Sequence, residues 1–261
     1  MRKLLLLAAL LLVATSARAA ELTETIDKTF DVKPGAKVVL TNVNGRITVN
    51  AWDQPRVRIV AEKRVEGDRN EVKQALRELR VDMQPREGGV VITTRHPKNS
   101  EGFSSFLDWL AGDHIEAQVR YDVYVPRTMN MDVSNTNGTI HVIGVAGRHE
   151  LETTNGKIKA ERCAGSMTAS TTNGGIDAEL VSVTKGQGLR FETTNGKIEV
   201  AVPADLAAEV DASTTNGSIE SDLPVLTTRA GSNSLRGTIN GGGTPLRMRT
   251  TNGGIEIRTT R

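Results

Sequence analysis

Residues 151–165 read LETTNGKIKAERCAG, and this stretch decides the fold. Leu151, Thr153 and Asn155 share one parity, while Ile158 and Ala160 share the other. Period-2 alternation marks strands with one buried side, and the phase slip at Asn155-Gly156 marks a corner between two of them. Glycine supplies the positive φ that such a corner takes. A second corner follows at Ala164-Gly165, matched by Ala146-Gly147 and Lys185-Gly186. Two strands and two corners make one coil, and a unit this small cannot bury an apolar side alone. It has to stack on copies of itself, about 4.8 Å apart, with parallel strands in register.

The copies are present. The pattern reads NTNGTI at 135–140, TTNGKI at 153–158, TTNGGI at 171–176, TTNGKI at 193–198, TTNGSI at 214–219 and TTNGGI at 250–255. A degenerate copy, SLRGTI, fills 234–239, and an early one, NVNGRI, stands at 42–47. Recurrence at a near-constant step is the signature of a repeat architecture. Asn-Gly also opens type I′ hairpins, but hairpins do not require Thr-Thr before and Ile after every time. Stacking predicts an inward column of Ile140, Ile158, Ile176, Ile198, Ile219, Ile239 and Ile255. It also predicts a corner ladder of Asn137, Asn155, Asn173, Asn195, Asn216 and Asn252, passing amide hydrogen bonds from coil to coil.

The first half differs. Val57–Val65, Val90–Thr94 and Glu116–Val125 alternate as strands without the Asn-Gly corner. Val72, Leu76 and Leu79 fall at helical spacing, with Asp68 as N-cap. At the N-terminus, Arg2 and Lys3 precede the apolar run Leu4–Val13, and Ala17-Arg18-Ala19 offers a cleavage site, the grammar of a secretory signal. The division expected is a signal peptide over 1–19, first strands and an early coil over 20–55, an insertion over 56–131 with a loop at 96–115, and the repeat stack over 132–261. The fold class is all-β: a single-stranded parallel β-solenoid (β-helix) with a small α+β insertion near the N-terminus.

Of 33 basic residues, Arg2, Lys3 and Arg18 lie in the leader, which leaves 30 against 31 acidic ones. A near-neutral mature chain offers no bulk attraction for nucleic acid. No run approaches the 20 or so apolar residues of a transmembrane helix. The lone Cys163 makes no internal disulfide and reads as a small core residue beside Val145 and Val181. His96, His114, His141 and His149 lack ligand spacing, and no metal or cofactor is expected.

The stretches TFDVKPGAKVVLTNVNGRITVNAW (29–52), YDVYVPRTMNMDVSNTNGTI (121–140) and LRMRTTNGGIEI (246–257) resemble the putative-adhesin family of bacterial β-solenoid domains of unknown function. The resemblance implies attachment at a cell surface and supplies no catalytic residues. Two surfaces stand out in the chain itself. Phe103, Phe106, Trp109 and Leu110 form an aromatic stripe in the 96–115 loop, suited to a partner contact or a cap over the end of the stack. Asp177, Glu179, Glu199, Glu220 and Asp222 form an acidic patch on the coil face, relieved mainly by Lys197. The functional expectation is an exported, periplasmic or surface-exposed, non-enzymatic adhesin-like binding or scaffold protein, engaging an envelope protein or polysaccharide. The alternatives are a polysaccharide-acting β-helix enzyme using paired carboxylates and a self-associating structural protein.

Overall fold

Tyr121, Ile47, Ile140, Ile158, Ile176, Ile198, Ile255 and Ile219 stand side by side in that order, each paired in parallel register with the next. All but the last are buried. The computed structural model describes residues 20–67, 71–86, 88–96 and 115–260. The expected leader, the Asp68 cap, His114 and the 103–110 stripe lie outside them.

Two long ladders carry the chain. On one side Ile92, Leu40, Val133, Leu151, Ala169, Phe191, Met248 and Ala212 follow one another in register. On the other runs the isoleucine column. Both point inward, and the space between them is the core; the small Ala169 stands beside the bulky Phe191, so adjacent levels compensate in volume. Burial of each isoleucine contributes about 1.5–3 kcal/mol.

The coils are not stacked in sequence order. Strands Thr244–Asn252 and Ile255–Thr259, last in the chain, lie between the coil at 189–202 and the coil at 208–221. At the other end, Lys37–Thr41 and Ile47–Trp52 lie between strands of the 56–131 segment and the coil at 130–143. The segment read as an insertion therefore builds the outermost parallel level of the stack, with Ala20–Asp31 beyond it on the isoleucine side.

Among the described residues the fold is all-β apart from one short helix, but it is a mixed sheet and not a clean parallel solenoid. Arg80–Arg86 runs antiparallel to Gly89–Arg95, and Arg56–Gly67 runs antiparallel to both Glu116–Pro126 and Ala20–Asp31. At the far end Ser234–Ile239 pairs antiparallel with Ala208–Asn216 and with Leu226–Gly231. Ile239 thus faces Ala208 across an antiparallel pair and is no member of the isoleucine column. The degenerate SLRGTI copy had lost the asparagine that a coil corner uses, and Arg236 stands in its place, hydrogen-bonded to Asp211 at 3.1 Å.

The helix spans Val72–Glu78 and packs on Ala20–Asp31 and Arg56–Gly67, burying Val72 and Ala75, with Leu79 buried just beyond it. It opens after Glu71 without a side-chain cap. Residues 80–86 form a strand that pairs antiparallel along Gly89–Arg95, the outermost parallel strand, and their extended backbone satisfies its hydrogen bonds.

Candidate functional site

The repeated corner explains its own four letters. The first threonine is buried, and its hydroxyl donates to the corner carbonyl of the preceding level. Thr171 Oγ1 reaches Gly156 O at 3.0 Å, Thr193 reaches Gly174 O at 2.8 Å, Thr250 reaches Gly196 O at 3.0 Å and Thr214 reaches Gly253 O at 2.8 Å. The second threonine faces solvent. The glycine is required by crowding: a Cβ on Gly174 would sit 2.0 Å from Gly156 O, and one on Gly196 2.0 Å from Gly174 O. Gly156, Gly174, Gly196 and Gly217 do not hold the positive φ expected of them. Backbone approach, not a left-handed turn, selects glycine at these four corners.

The asparagines form one continuous chain. Nδ2 of Asn216 donates to Oδ1 of Asn252, and so on through Asn195, Asn173, Asn155 and Asn137 to Asn44, at 2.7–2.8 Å throughout. Asn44 then donates to Ala117 O at 3.3 Å. All six predicted members are present, Asn252 precedes Asn216, and Asn44 is a seventh that the NVNGRI copy had signalled. An interior member has two ladder bonds and the Asn216 terminus has one. Asn173→Ala is expected to cost about 2 kcal/mol and Asn216→Ala about half that, as urea unfolding midpoints would report.

The acidic patch is reorganised by the stack order. Asp177, Glu199, Glu256 and Glu220 follow one another along the sheet, because the last coil inserts Glu256 into the row and Arg258 into the next outward row, opposite Ala201. Lys157 meets Asp177 at 3.1 Å, Lys197 meets Glu199 at 3.2 Å and Glu256 at 2.6 Å, and Arg258 meets Glu199 at 2.6 Å and Glu256 at 2.5 Å. Lys197 first, then Arg258, holds the Glu256 carboxyl below its usual range. Glu179 accepts from the backbone N–H of Arg162 at 3.2 Å. The row is an ion-pair network, with Glu220 and Asp222 at its outer end, rather than a bare acidic surface relieved mainly by Lys197.

An aromatic pair absent from the sequence reading lies on the same side. Trp52 and Tyr124 hold their ring centroids 5.6 Å apart at 37°, with the Arg58 guanidinium 6.0 Å from the Tyr124 ring centroid. The indole N–H donates to Arg56 O at 2.8 Å, which fixes the ring, and both side chains are half-buried. The pair is created by the register Asn50 to Tyr124 and Trp52 to Pro126, between strands some seventy residues apart in the chain.

Cys163 stands beside Leu180, shifted from the expected Val181 by an irregularity next to Arg162, whose φ is 49°. Burial pushes its thiol up to about 11. His149 occupies an inward column between Met131 and Met167. Its Nε2 lies 3.2 Å from Val145 O and 3.3 Å from Ala164 O, and its Nδ1 has no partner. Desolvation lowers its pKa below 6.5, against the pull of the two carbonyls. The unfolded chain therefore takes up this proton first, and the group's contribution to stability is full above pH 6.5 and lost as the pH falls below it. From about pH 7.5 to about 5.5, His149→Met is expected to lose less thermal stability than the parent chain.

Residues 111–258 match the family profile described as Toastrack DUF4097. In three dimensions the chain is similar to a putative cell adhesion protein from Clostridium sporogenes, at 12% identity and a TM-score of 0.46, covering 91% of this chain and 100% of that one. A putative adhesin from Bacteroides fragilis gives 10% identity and 0.30 over 90% of this chain and 97% of that one. A putative adhesin from Parabacteroides merdae gives 12% identity and 0.27 over 90% and 95%. A comparison with curated proteins finds no match. Among the described residues no helix is long and apolar enough to cross a membrane.

Proposed function

The chain belongs to the Toastrack DUF4097 family, and from that premise we propose that it is an exported, non-enzymatic binding scaffold of the bacterial cell envelope, adhesin-like in using its lateral faces. We read its fold as a parallel β-solenoid with reordered coils and closed ends. The closure of the ends is the observation that carries this reading. Antiparallel strands finish both sides at one end and the first side at the other, where the second side stops in the three-residue strand Ile219–Ser221. Short or antiparallel edges oppose the addition of further parallel coils, which leaves the flat faces as the surfaces offered to a partner. Asp177, Glu199 and Glu256 of the acidic row are already engaged by Lys157, Lys197 and Arg258, which favours a structural use over paired-carboxylate catalysis. Export to the periplasm or cell surface rests on the leader-like residues 1–19. The Trp52–Tyr124 pair, flanked by Asn50 and Asp122, offers ring faces and polar edges of the kind that hold an envelope polysaccharide.

Sedimentation of the mature chain over rising concentration is expected to return a monomer. Isolated envelope fragments should retain it, and Trp52→Leu and Tyr124→Leu should each weaken that retention. Mass growing with concentration, or retention indifferent to both rings, would overturn the reading.

A further inference from the structure

At the start of the first-side strands, next to the turn at 184–187, lies a groove of about 770 Å³. Its shape follows from the residues that share one outward row. That row runs Arg148, Ser166, Gly188, Pro245, so the wall falls from a long side chain to a hydroxymethyl group and to none, then rises again at a proline. The adjacent row runs Thr168, Arg190, Arg247 in register along three successive levels. Thr184 and Gln187 form the facing wall, held in their turn by the Gln187 N–H donating to Thr184 O at 3.1 Å.

Among the described residues the lining carries three guanidinium groups and no carboxylate. Two of them lean on acids just outside it, Arg148 on Glu150 at 2.6 Å and Arg190 on Glu192 at 2.8 Å. Arg247 is exposed, stands in register between Arg190 and Asp211, and has no ion pair among the described residues, Asp211 pairing with Arg236 instead. A guanidinium in this position presents a planar fork suited to a carboxylate or phosphate. Under the groove sits His149, a fully buried imidazole with an unpartnered Nδ1 in a column otherwise built of valine, methionine and leucine. Apolar packing alone gives no reason for a polar ring at that level. The remaining lining groups, the hydroxyls of Ser166, Thr168 and Thr184 and the amide of Gln187, are of the kind that pair with ligand hydroxyls. The volume falls within the range of small-molecule sites.

We propose that this groove binds an acidic sugar unit, one bearing a carboxylate or a phosphate, with Arg247 as the principal anion contact, Arg190 and Arg148 beside it, and the hydroxyl and amide groups receiving the sugar hydroxyls. The inference rests on the reading of the chain as a binding scaffold, but it concerns a different face from the Trp52–Tyr124 pair.

Calorimetric titration of the mature chain tests it with four probes: a uronic acid oligosaccharide, a hexose phosphate, inorganic phosphate and a neutral oligosaccharide. Binding of the uronate or of the hexose phosphate is expected, and which of the two binds identifies the source of the anion. Inorganic phosphate should bind more weakly and the neutral oligosaccharide not at all. Arg247→Gln should weaken the acidic sugar by about tenfold or more, with Arg190→Gln following and Trp52→Leu without effect. Gln retains an outward polar side chain, and unchanged circular dichroism verifies the fold of each variant. Failure of both acidic sugars to bind, equal binding of the neutral one, or indifference to Arg247→Gln would overturn the proposal. If envelope retention nevertheless survives and depends on the rings, the scaffold reading stands without this groove.

Discussion

Deleting residues 244–261 is expected to abolish cooperative folding of the whole chain. The last coil fills an interior level of the stack, between the coils at 189–202 and 208–221. Its inward side chains Leu246, Met248, Ile255 and Ile257 are all 0–1% exposed. Their burial is worth about 6–12 kcal/mol in all, comparable to the total stability of an ordinary domain, about 5–15 kcal/mol. The deletion would also strip Phe191 and Ala212 of their neighbour Met248 and break the asparagine chain between Asn195 and Asn216. In a stack that followed sequence order, the same deletion would remove an end level and leave the rest folded, since repeat proteins lose stability roughly one interface at a time. Far-UV circular dichroism and urea unfolding of the truncated chain decide between the two.

The second large effect is expected at a single atom. Gly174→Ala places a Cβ 2.0 Å from Gly156 O, a backbone atom that cannot move aside without disturbing the ladder on both sides. Overpacking against backbone costs more than overpacking against a flexible side chain, and a loss of about 3 kcal/mol or more is expected. Gly231→Ala is the matched control: its nearest neighbour would be 3.9 Å away, its φ is not positive, and no more than about 0.5 kcal/mol should change. A midpoint for Gly174→Ala within error of the parent chain would show that the corners are not packed as described.

Much of this was legible in the sequence, and the limits have a physical origin. The alternation around Asn155-Gly156 reveals strands, corner and inward side because side-chain period is a local property. Six of the seven ladder asparagines follow from the same motif. What a motif does not encode is its neighbour: TTNG at 250–253 docks on TTNG at 193–196 or on TTNG at 214–217 with the same hydrogen bonds. Sequence order was the default assumption, and it left Glu256 and Arg258 out of the acidic surface. The signal against that default was present. Consecutive intact motifs at 214–219 and 250–255 lie 36 residues apart, twice the step between 153–158 and 171–176, and the copy between them carries Arg236 where the ladder needs an amide. The row of Arg190 with Arg247 depends on that reordering, and the ring pair of Trp52 with Tyr124 on the separate docking of Glu116–Pro126 against Ile47–Trp52, so neither could be read along the chain.

The stack order is tested most directly by cysteine pairs placed on the outward side, in a background carrying Cys163→Ala. Glu192 and Arg249 are register partners on adjacent parallel strands, and Ser213 lies one level further on. Adjacent strands are about 4.8 Å apart, within the Cα separation of about 4.4–6.8 Å that a disulfide tolerates, whereas two levels exceed it. Under mild oxidation, Glu192→Cys with Arg249→Cys should form an intramolecular disulfide in the folded chain, and Glu192→Cys with Ser213→Cys should not. Rapid closure of the 192–213 pair with no closure of the 192–249 pair would contradict the inserted last coil.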